Sequence, residues 1–150
     1  MRRAVDTNVL VYAHIASLPE HPAAKRHIEE FLAQPDSSLV VVPLVLHEFV
    51  HVITDGRRFE EPVSIAEAIA VARLYLNRSN VQCVEIGAES VGRALALLET
   101  YQLGRKRIAD ALLAATLLEH GVVELITNNE AHFRVFEEIT CVNPLGESRR

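Results

Sequence analysis

The sequence predicts an α/β domain of three layers, in which helices flank a mostly parallel central sheet of about five strands. The first supporting observation is that five short runs rich in β-branched residues alternate with longer helix-like segments. The second is that most prolines and glycines fall at or near the boundaries between these segments, where both residue types are tolerated. The third is the length of 150 residues, which suits one domain with one substantial core.

The predicted elements alternate along the whole chain. The strands cover residues 2–7, 39–42, 81–86, 124–127 and 140–143, because these runs are rich in valine, isoleucine and threonine. Helical segments lie near residues 8–15, 20–33, 44–55, 64–78, 88–102, 108–120 and 130–137. Neither a repeat nor a linker interrupts them. We therefore expect a single domain over residues 1–150, with residues 146–150 as a flexible tail.

Composition narrows the class of protein. Apolar residues make up 49% of the chain and charged residues 23%, which is ordinary for a globular protein. Because no apolar run approaches the roughly 20 residues of a membrane span, we expect a cytoplasmic protein without membrane contact. The net charge of −5 argues against general affinity for nucleic acid but leaves room for local basic patches. Cys83 and Cys141 are expected to be buried free thiols.

Asp6 stands where the first predicted strand ends, and Thr7, Asn8 and an apolar helix-like run follow it. Functional groups of a parallel α/β sheet gather at the carboxyl ends of its strands, which makes Asp6 a candidate site residue. Asp, Thr and Asn also cap helices well, so a capping role explains this segment about equally well.

Asp110 lies on an apolar stripe of the helix-like segment "RIADALLAATLLEHG", beside Leu113, Ala114 and Leu117. An unpaired buried carboxylate is costly, so this position needs a cation, a metal ion or strong hydrogen-bond donors. The alternative is stabilisation by the free N–H groups and the dipole of the first helical turn. The position on the stripe favours a functional role.

The segment "HEFVH" matches the zinc-protease pattern H-E-x-x-H, in which two histidines hold the metal and the glutamate activates its water. Such a site needs a third protein ligand, and the extended motif would require Gly and His where this chain has Thr54 and Arg57. On the helical wheel, Glu48 lies at the edge of the apolar arc, whereas His47 and His51 lie on the polar side. A chance match explains the pattern better, and by itself Glu48 is compatible with an ordinary boundary glutamate.

A last polar cluster follows the fourth predicted strand. In "ELITNNEAHF" the strand runs into Thr127, Asn128, Asn129 and Glu130 before the next helix. This again delivers polar side chains at the carboxyl end of a strand. Simple helix capping by one of the two asparagines is the alternative.

Four segments in order, "VDTNVL", "HEFVHVITD", "RIADALLAATLLEHGV" and "LITNNEAHF", resemble the successive motifs of PIN-domain ribonucleases. The resemblance is closest to the VapC-type toxins of bacterial toxin–antitoxin pairs, runs nearly end to end and includes a final "CVNP". Each motif is weak alone, but four in order are fairly specific. The resemblance implies a Mg²⁺- or Mn²⁺-dependent endoribonuclease, a homodimer that an antitoxin protein holds inactive.

The resemblance also implies roles for individual residues. Asp6, Glu48 and Asp110 match the first three acidic positions of the family, and Asn129 falls on the fourth. Asp6 and Asp110 would be metal ligands, while Glu48 would position or deprotonate the attacking water. Because an amide is a weaker ligand for a hard cation than a carboxylate, Asn129 leaves open whether one or two ions bind. Thr7, Asn8 and Thr127 would form hydrogen bonds with these ligands or with the phosphate.

The chemistry of phosphodiester hydrolysis agrees with this assignment. The reaction needs an activated water and neutralisation of charge on the phosphate, which oxygen-rich sites for Mg²⁺ or Mn²⁺ supply. Converging carboxylates without a cation would repel one another. Two basic segments, "GRR" and "GRKR", flank the site in sequence and are either phosphate contacts or solvated loops. The candidate contacts are Arg57, Arg58, Arg105, Lys106 and Arg107.

Two other functions stay open from the sequence. One is a zinc metalloprotease, and the other is a non-catalytic α/β binding module whose carboxylates are structural caps. Binding of Mg²⁺ or Mn²⁺, copurification of stoichiometric Zn²⁺, or neither would distinguish the three. For the antitoxin, helices rich in Leu, Ile and Val are expected to leave an apolar groove that accepts an amphipathic segment.

Overall fold

A computed structural model describes residues 1–146 and contains a sheet of five strands. The strands are β1 (Arg2–Val5), β2 (Ser38–Val41), β3 (Val81–Cys83), β4 (Glu124–Ile126) and β5 (Thr140–Val142). Their order across the sheet is β3-β2-β1-β4-β5, and all four neighbouring pairs are parallel. The prediction of a parallel sheet of about five strands is confirmed.

Seven α-helices accompany the sheet within the described range. They are α1 (Thr7–His14), α2 (His21–Ala33), α3 (Pro43–Ile53), α4 (Ile65–Asn77), α5 (Ala88–Thr100), α6 (Ile108–Glu119) and α7 (Glu130–Phe133). A 3-10 turn at Arg105–Arg107, which the sequence did not predict, leads directly into α6. Helix α7 is shorter than the predicted segment 130–137, because the chain beyond it continues in isolated turns. In these turns the Phe136 N–H donates to the carbonyl of Phe133, and the Ile139 N–H donates to the carbonyl of Phe136.

The core explains why the strand sequences are almost uniformly apolar. A parallel sheet is covered on both faces, so neither side of its central strands needs polar residues. In β2, Leu39, Val40 and Val41 are all essentially buried, as are Leu125 and Ile126 in β4. The largest fully buried side chains come from helices and the turn after α7, and they are Phe31, Phe49, Phe133 and Phe136.

Two short connections bring chain segments to the carboxyl edge of the sheet, where all five strands end. The N–H of Asp6 bonds to the carbonyl of Ile126 at 2.9 Å, and α1 begins at the next residue. Pro43 opens α3 only two residues after β2 ends, at a helical position where its missing N–H costs nothing. The first turns of α1 and α3 therefore lie directly above neighbouring strands.

The two cysteines correct one prediction. Both are free, as expected, but Cys83 is exposed and Cys141 is half-buried rather than buried. They lie in β3 and β5, the two edge strands, which have a neighbour on one side only. Among residues 1–146, no helix has the length and apolar character needed to cross a membrane. The predicted flexible tail over residues 146–150 lies, apart from Gly146, outside the described part of the chain.

Candidate active site

Three carboxylates from separate parts of the chain meet at the carboxyl edge of the sheet. Asp6 caps α1 directly after β1, Glu48 lies in the second turn of α3, and Asp110 lies in the first turn of α6. Burial raises the pKa of the Asp6 carboxyl above its usual value, and the nearby Asp110 and Glu48 carboxylates raise it further. The hydrogen bonds from Thr127 and Thr7 act in the opposite direction without cancelling that rise. The fold thus brings these three predicted residues into one electrostatic environment.

Asp6 is held by one neutral donor on each carboxylate oxygen. The backbone N–H of Thr7 donates to Oδ1 at 2.8 Å, and the Thr127 hydroxyl donates to Oδ2 at 2.9 Å. Each oxygen therefore keeps lone-pair capacity for a further partner. The capping explanation and the functional explanation of Asp6 are compatible, because the same side chain does cap α1 and still faces the other acids.

Thr7 links Asp6 to Glu48. Its hydroxyl donates to Glu48 Oε2 at 3.1 Å, while its N–H bonds to Asp6. Thr7 is almost fully buried, whereas Glu48 is exposed on the surface of α3. A buried hydroxyl thus fixes one oxygen of an otherwise solvated carboxylate, which orients Glu48 toward Asp6.

Asp110 has two basic partners on the same oxygen. Arg107 Nε lies 3.1 Å and His132 Nδ1 lies 3.2 Å from Asp110 Oδ2. The side chain of Asp110 is 21% exposed, so the expected need for a cation near a partly buried carboxylate is met within the chain. Its place in the first turn of α6 adds the stabilisation of the helix dipole.

Thr127 and Asn129 join the two halves of the site. The Thr127 hydroxyl, which donates to Asp6, accepts the backbone N–H of Asn129 at 3.0 Å. The side-chain amide of Asn129 lies 2.9 Å from Nδ1 of His132, which also contacts Asp110. One continuous network therefore runs through Glu48, Thr7, Asp6, Thr127, Asn129, His132, Asp110 and Arg107.

The predicted phosphate contacts divide into two groups. Arg105 and Lys106 are exposed, and together with Gly104, Arg107 and His132 they line a cleft of about 730 Å³ beside Asp110. Arg57 and Arg58, in contrast, lie in the loop after α3, where Arg57 pairs with Asp55 at 3.2 Å. The basic cleft adjoins the acidic network directly, whereas among residues 1–146 no hydrogen bond or ion pair joins the other loop to that network.

One predicted residue and the two histidines of one motif lie outside the network. Asn8 is half-buried, and within residues 1–146 its side chain makes no hydrogen bond. In "HEFVH", the side chains of His47 and His51 are exposed, as the helical wheel predicted, and the exposed Glu48 joins the network through Thr7. The described part of the chain contains no group of three or more His, Cys, Asp or Glu side chains placed to hold a metal ion.

His132 and the pairing of Arg107 with Asp110 are what sequence reasoning missed. Arg107 precedes Asp110 by three residues, a spacing at which side chains meet on a helix, so this signal was present in the sequence. His132 is separated from Asp110 by the rest of α6, a strand and two loops, and no local pattern relates them. Chemically, the assembled site offers carboxylate oxygens on one side and cationic donors on the other, which suits a phosphate group together with a hard cation.

Comparisons with known proteins agree with this description. A family profile described as a PIN domain matches residues 3–138, a range that includes all four predicted catalytic positions. Ribonuclease VapC24 of Mycobacterium tuberculosis is 32% identical over 143 residues, which cover 91% of this chain and 97% of that protein. Ribonuclease VapC43 of the same species is 34% identical over 141 residues, which cover 94% of each. Among solved structures, a chain of a toxin–antitoxin complex from Klebsiella pneumoniae matches with a TM-score of 0.64 at 22% identity, covering 95% of this chain and 97% of that one.

Proposed function

The chain belongs to the PIN-domain family, in its VapC group, and from this premise we propose that it is an endoribonuclease that hydrolyses RNA phosphodiester bonds. The observation that carries the proposal is the network at the carboxyl edge of the sheet. Three carboxylates share it, and the pKa of Asp6 is raised by burial and by Asp110 and Glu48. Asp6 has only neutral donors and its ionised form is disfavoured by the two neighbouring acids, so the site favours a divalent ion and its phosphate ligand.

We propose Mg²⁺ or Mn²⁺ as the cofactor, with Asp6 and Asp110 as its protein ligands. Mg²⁺ is commonly held by one or two carboxylates, with water and substrate phosphate completing its shell. Two carboxylates with spare lone pairs fit that requirement, whereas a structural or catalytic zinc ion would need three or four protein ligands. When bound, the ion would neutralise charge on the scissile phosphate.

The remaining side chains have roles that follow from their contacts. Glu48 accepts a proton from the attacking water as the water oxygen bonds to phosphorus, and the Thr7 hydroxyl holds Glu48 in place for this step. The ester bond to the leaving oxygen breaks, and that oxygen takes a proton from solvent. Thr127 keeps Asp6 oriented, while Arg105 and Lys106 in the basic cleft contact the RNA phosphates.

Neither alternative function has a supporting observation. A zinc protease would need His47 and His51 as ligands, and both side chains are exposed outside the network. A non-catalytic module would not explain why three acids from three segments of the chain come together.

We also propose that the chain is the toxin of a toxin–antitoxin pair, working in the cytoplasm as a homodimer. The support from this chain for an antitoxin partner is a cavity of about 260 Å³ between α1, α2 and α4, whose apolar lining includes Ile28, Leu32 and Val71. Leu74 lines the same cavity and is 70% exposed. An amphipathic segment of an antitoxin protein would cover these side chains.

The test uses the purified chain freed of any partner. It should cleave labelled single-stranded RNA in Mg²⁺ or Mn²⁺, lose that activity in EDTA, and regain it when the ion is restored. Asp110→Asn should be inactive, whereas Glu124→Gln, a carboxylate at the opposite end of the sheet, should retain wild-type activity. Undiminished cleavage in chelator would overturn the metal mechanism, and stoichiometric bound Zn²⁺ would favour the protease.

A further inference from the structure

Arg107 is a charged member of the network to which the proposed steps give no role. Its Nε atom donates to Asp110 Oδ2 at 3.1 Å, and the two side chains are only 20% and 21% exposed. Because arginine keeps its charge throughout the physiological pH range, this pair places a permanent cation beside a proposed metal ligand. A divalent ion that binds Asp110 would be repelled by that cation.

The guanidinium of Arg107 is poorly satisfied in this position. A guanidinium has several N–H donors, and within residues 1–146 only the Nε–H of Arg107 makes a hydrogen bond. Its Nη2 atom is buried and has no partner in the same range. A buried donor without an acceptor is costly, so a ligand with more acceptor atoms would satisfy this side chain better than Asp110 does.

Such a ligand has room beside Arg107. The basic cleft that Arg107 lines has a volume of about 730 Å³. A phosphate carries several acceptor oxygens and can bind a guanidinium through two parallel hydrogen bonds, which suits the planar fork of arginine. Phosphate in the cleft would therefore compete with Asp110 for Arg107, just as a metal ion would compete with Arg107 for Asp110.

We infer that Arg107 occupies Asp110 in place of the metal ion in the free enzyme, and that it moves to the substrate phosphate when the ion binds. The ion and the phosphate then assist each other, because each takes one partner of the Arg107–Asp110 pair. By linkage, phosphate raises the affinity for the ion by the same factor as the ion raises the affinity for phosphate. This inference rests on the proposed nuclease function.

The experiment measures affinity for Mn²⁺ rather than cleavage, through the electron paramagnetic resonance signal of the free ion. The proteins are the partner-free wild type, Arg107→Gln, Arg107→Lys and the control Lys106→Gln. The control removes the same charge from the neighbouring exposed residue of the cleft, which forms no hydrogen bond or ion pair with Asp110. All titrations are made at one pH, and circular dichroism confirms that each protein is folded.

We expect Arg107→Gln to bind Mn²⁺ about fivefold or more tightly than wild type, since the ion then meets a partly buried carboxylate that has lost its cation. Arg107→Lys keeps the charge and should stay closer to wild type. Lys106→Gln should raise the affinity less than Arg107→Gln does. If Arg107 merely oriented Asp110 for the ion, the sign would be opposite and Arg107→Gln would bind Mn²⁺ more weakly.

A second series adds sulfate, a tetrahedral dianion that stands in for phosphate, at constant ionic strength. Sulfate should raise the Mn²⁺ affinity of wild type, and it should raise that of Arg107→Gln by a smaller factor. If sulfate produces no rise in wild type, or an equal rise in both proteins, Arg107 does not move to the anion and the inference is wrong.

Cleavage of RNA by wild type separates failure of this inference from failure of the proposed function. If wild type neither binds Mn²⁺ nor cleaves RNA, the nuclease assignment is wrong and this inference falls with it. If wild type binds Mn²⁺ and cleaves RNA but Arg107→Gln binds the ion no more tightly, only the role of Arg107 is wrong.

Discussion

Two sets of substitutions within α3 separate the nuclease from the zinc protease. The double variant His47→Ala with His51→Ala removes two exposed side chains that make no contact with the acidic network. Exposed positions of this kind change stability by about 0.5 kcal/mol or less. We therefore expect the double variant to fold and to cleave RNA within about tenfold of wild type, a barrier change near 1.4 kcal/mol.

Glu48→Gln, a change on the same helix, should behave in the opposite way. Glutamine is nearly isosteric and keeps an oxygen that can accept the Thr7 hydroxyl, which bonds Glu48 Oε2 at 3.1 Å. The network and the fold are thus preserved while the proton-accepting charge is lost. Removal of such a group lowers rates by about a hundredfold or more, equivalent to about 2.7 kcal/mol in the barrier.

The assay is the initial rate of cleavage of a labelled RNA at saturating Mg²⁺, with circular dichroism melts of each protein. The nuclease assignment predicts a folded, active double-histidine variant and a folded, nearly inactive Glu48→Gln. If the double-histidine variant is folded but inactive while Asp110→Asn is active, the reasoning is refuted and the zinc interpretation takes its place.

Three further outcomes follow from the contacts of the site. Asp6→Asn should be inactive yet at least as stable as wild type at neutral pH, because burial raises the pKa of Asp6 and the ionised carboxylate therefore lowers the stability of the fold. In thermal melts, the advantage of the variant should shrink as the pH falls through that raised pKa and be gone below the ordinary pKa of an aspartate. A deficit in melting temperature that persists at neutral pH would contradict this. Arg107→Gln should cost about 1–2 kcal/mol in chemical unfolding, since it leaves the partly buried Asp110 with one basic partner, whereas the exposed Lys106→Gln should cost almost nothing. Leu74→Asp should keep nuclease activity but weaken binding of a copurified antitoxin in calorimetry, and unchanged binding would move the partner to another surface.

The parts of the fold that the sequence predicts are those set by local patterns. Strand β2 is a continuous apolar run bounded by polar residues and Pro43, and both of its ends fall within one residue of the prediction. Strand β1 is two residues shorter than predicted, because Asp6 and Thr7 leave the sheet to begin α1. The boundary was ambiguous in the sequence, since β-branched Thr7 suits a strand and the first turn of a helix alike.

The site was predictable as a set of acids but not as a network. The position of Asp110 on an apolar stripe predicted that it needs a partner. The structure gives it two partners, which lie at very different distances along the chain. Arg107 is three residues away, while His132 reaches Asp110 only because β4 and α7 return the chain to the same edge of the sheet. Contacts of the second kind depend on tertiary topology, which no periodicity of a single segment encodes.

The distribution of donors over the acids reconciles a net charge of −5 with a polyanionic substrate. Asp6 receives only neutral donors, from the Thr7 N–H and the Thr127 hydroxyl, so its negative charge remains available to a cation. Asp110 receives a guanidinium and an imidazole on one oxygen, beside the cleft with the exposed Arg105 and Lys106. The site is therefore polarised over a few side chains, acidic toward Asp6 and Glu48 and basic toward the cleft. A phosphate placed between the two halves would meet cationic donors on one side and Asp6, a proposed metal ligand, on the other, whatever the charge of the rest of the surface. In the proposed nuclease, local order within one hydrogen-bonded network decides binding, and the net charge affects only encounters at long range.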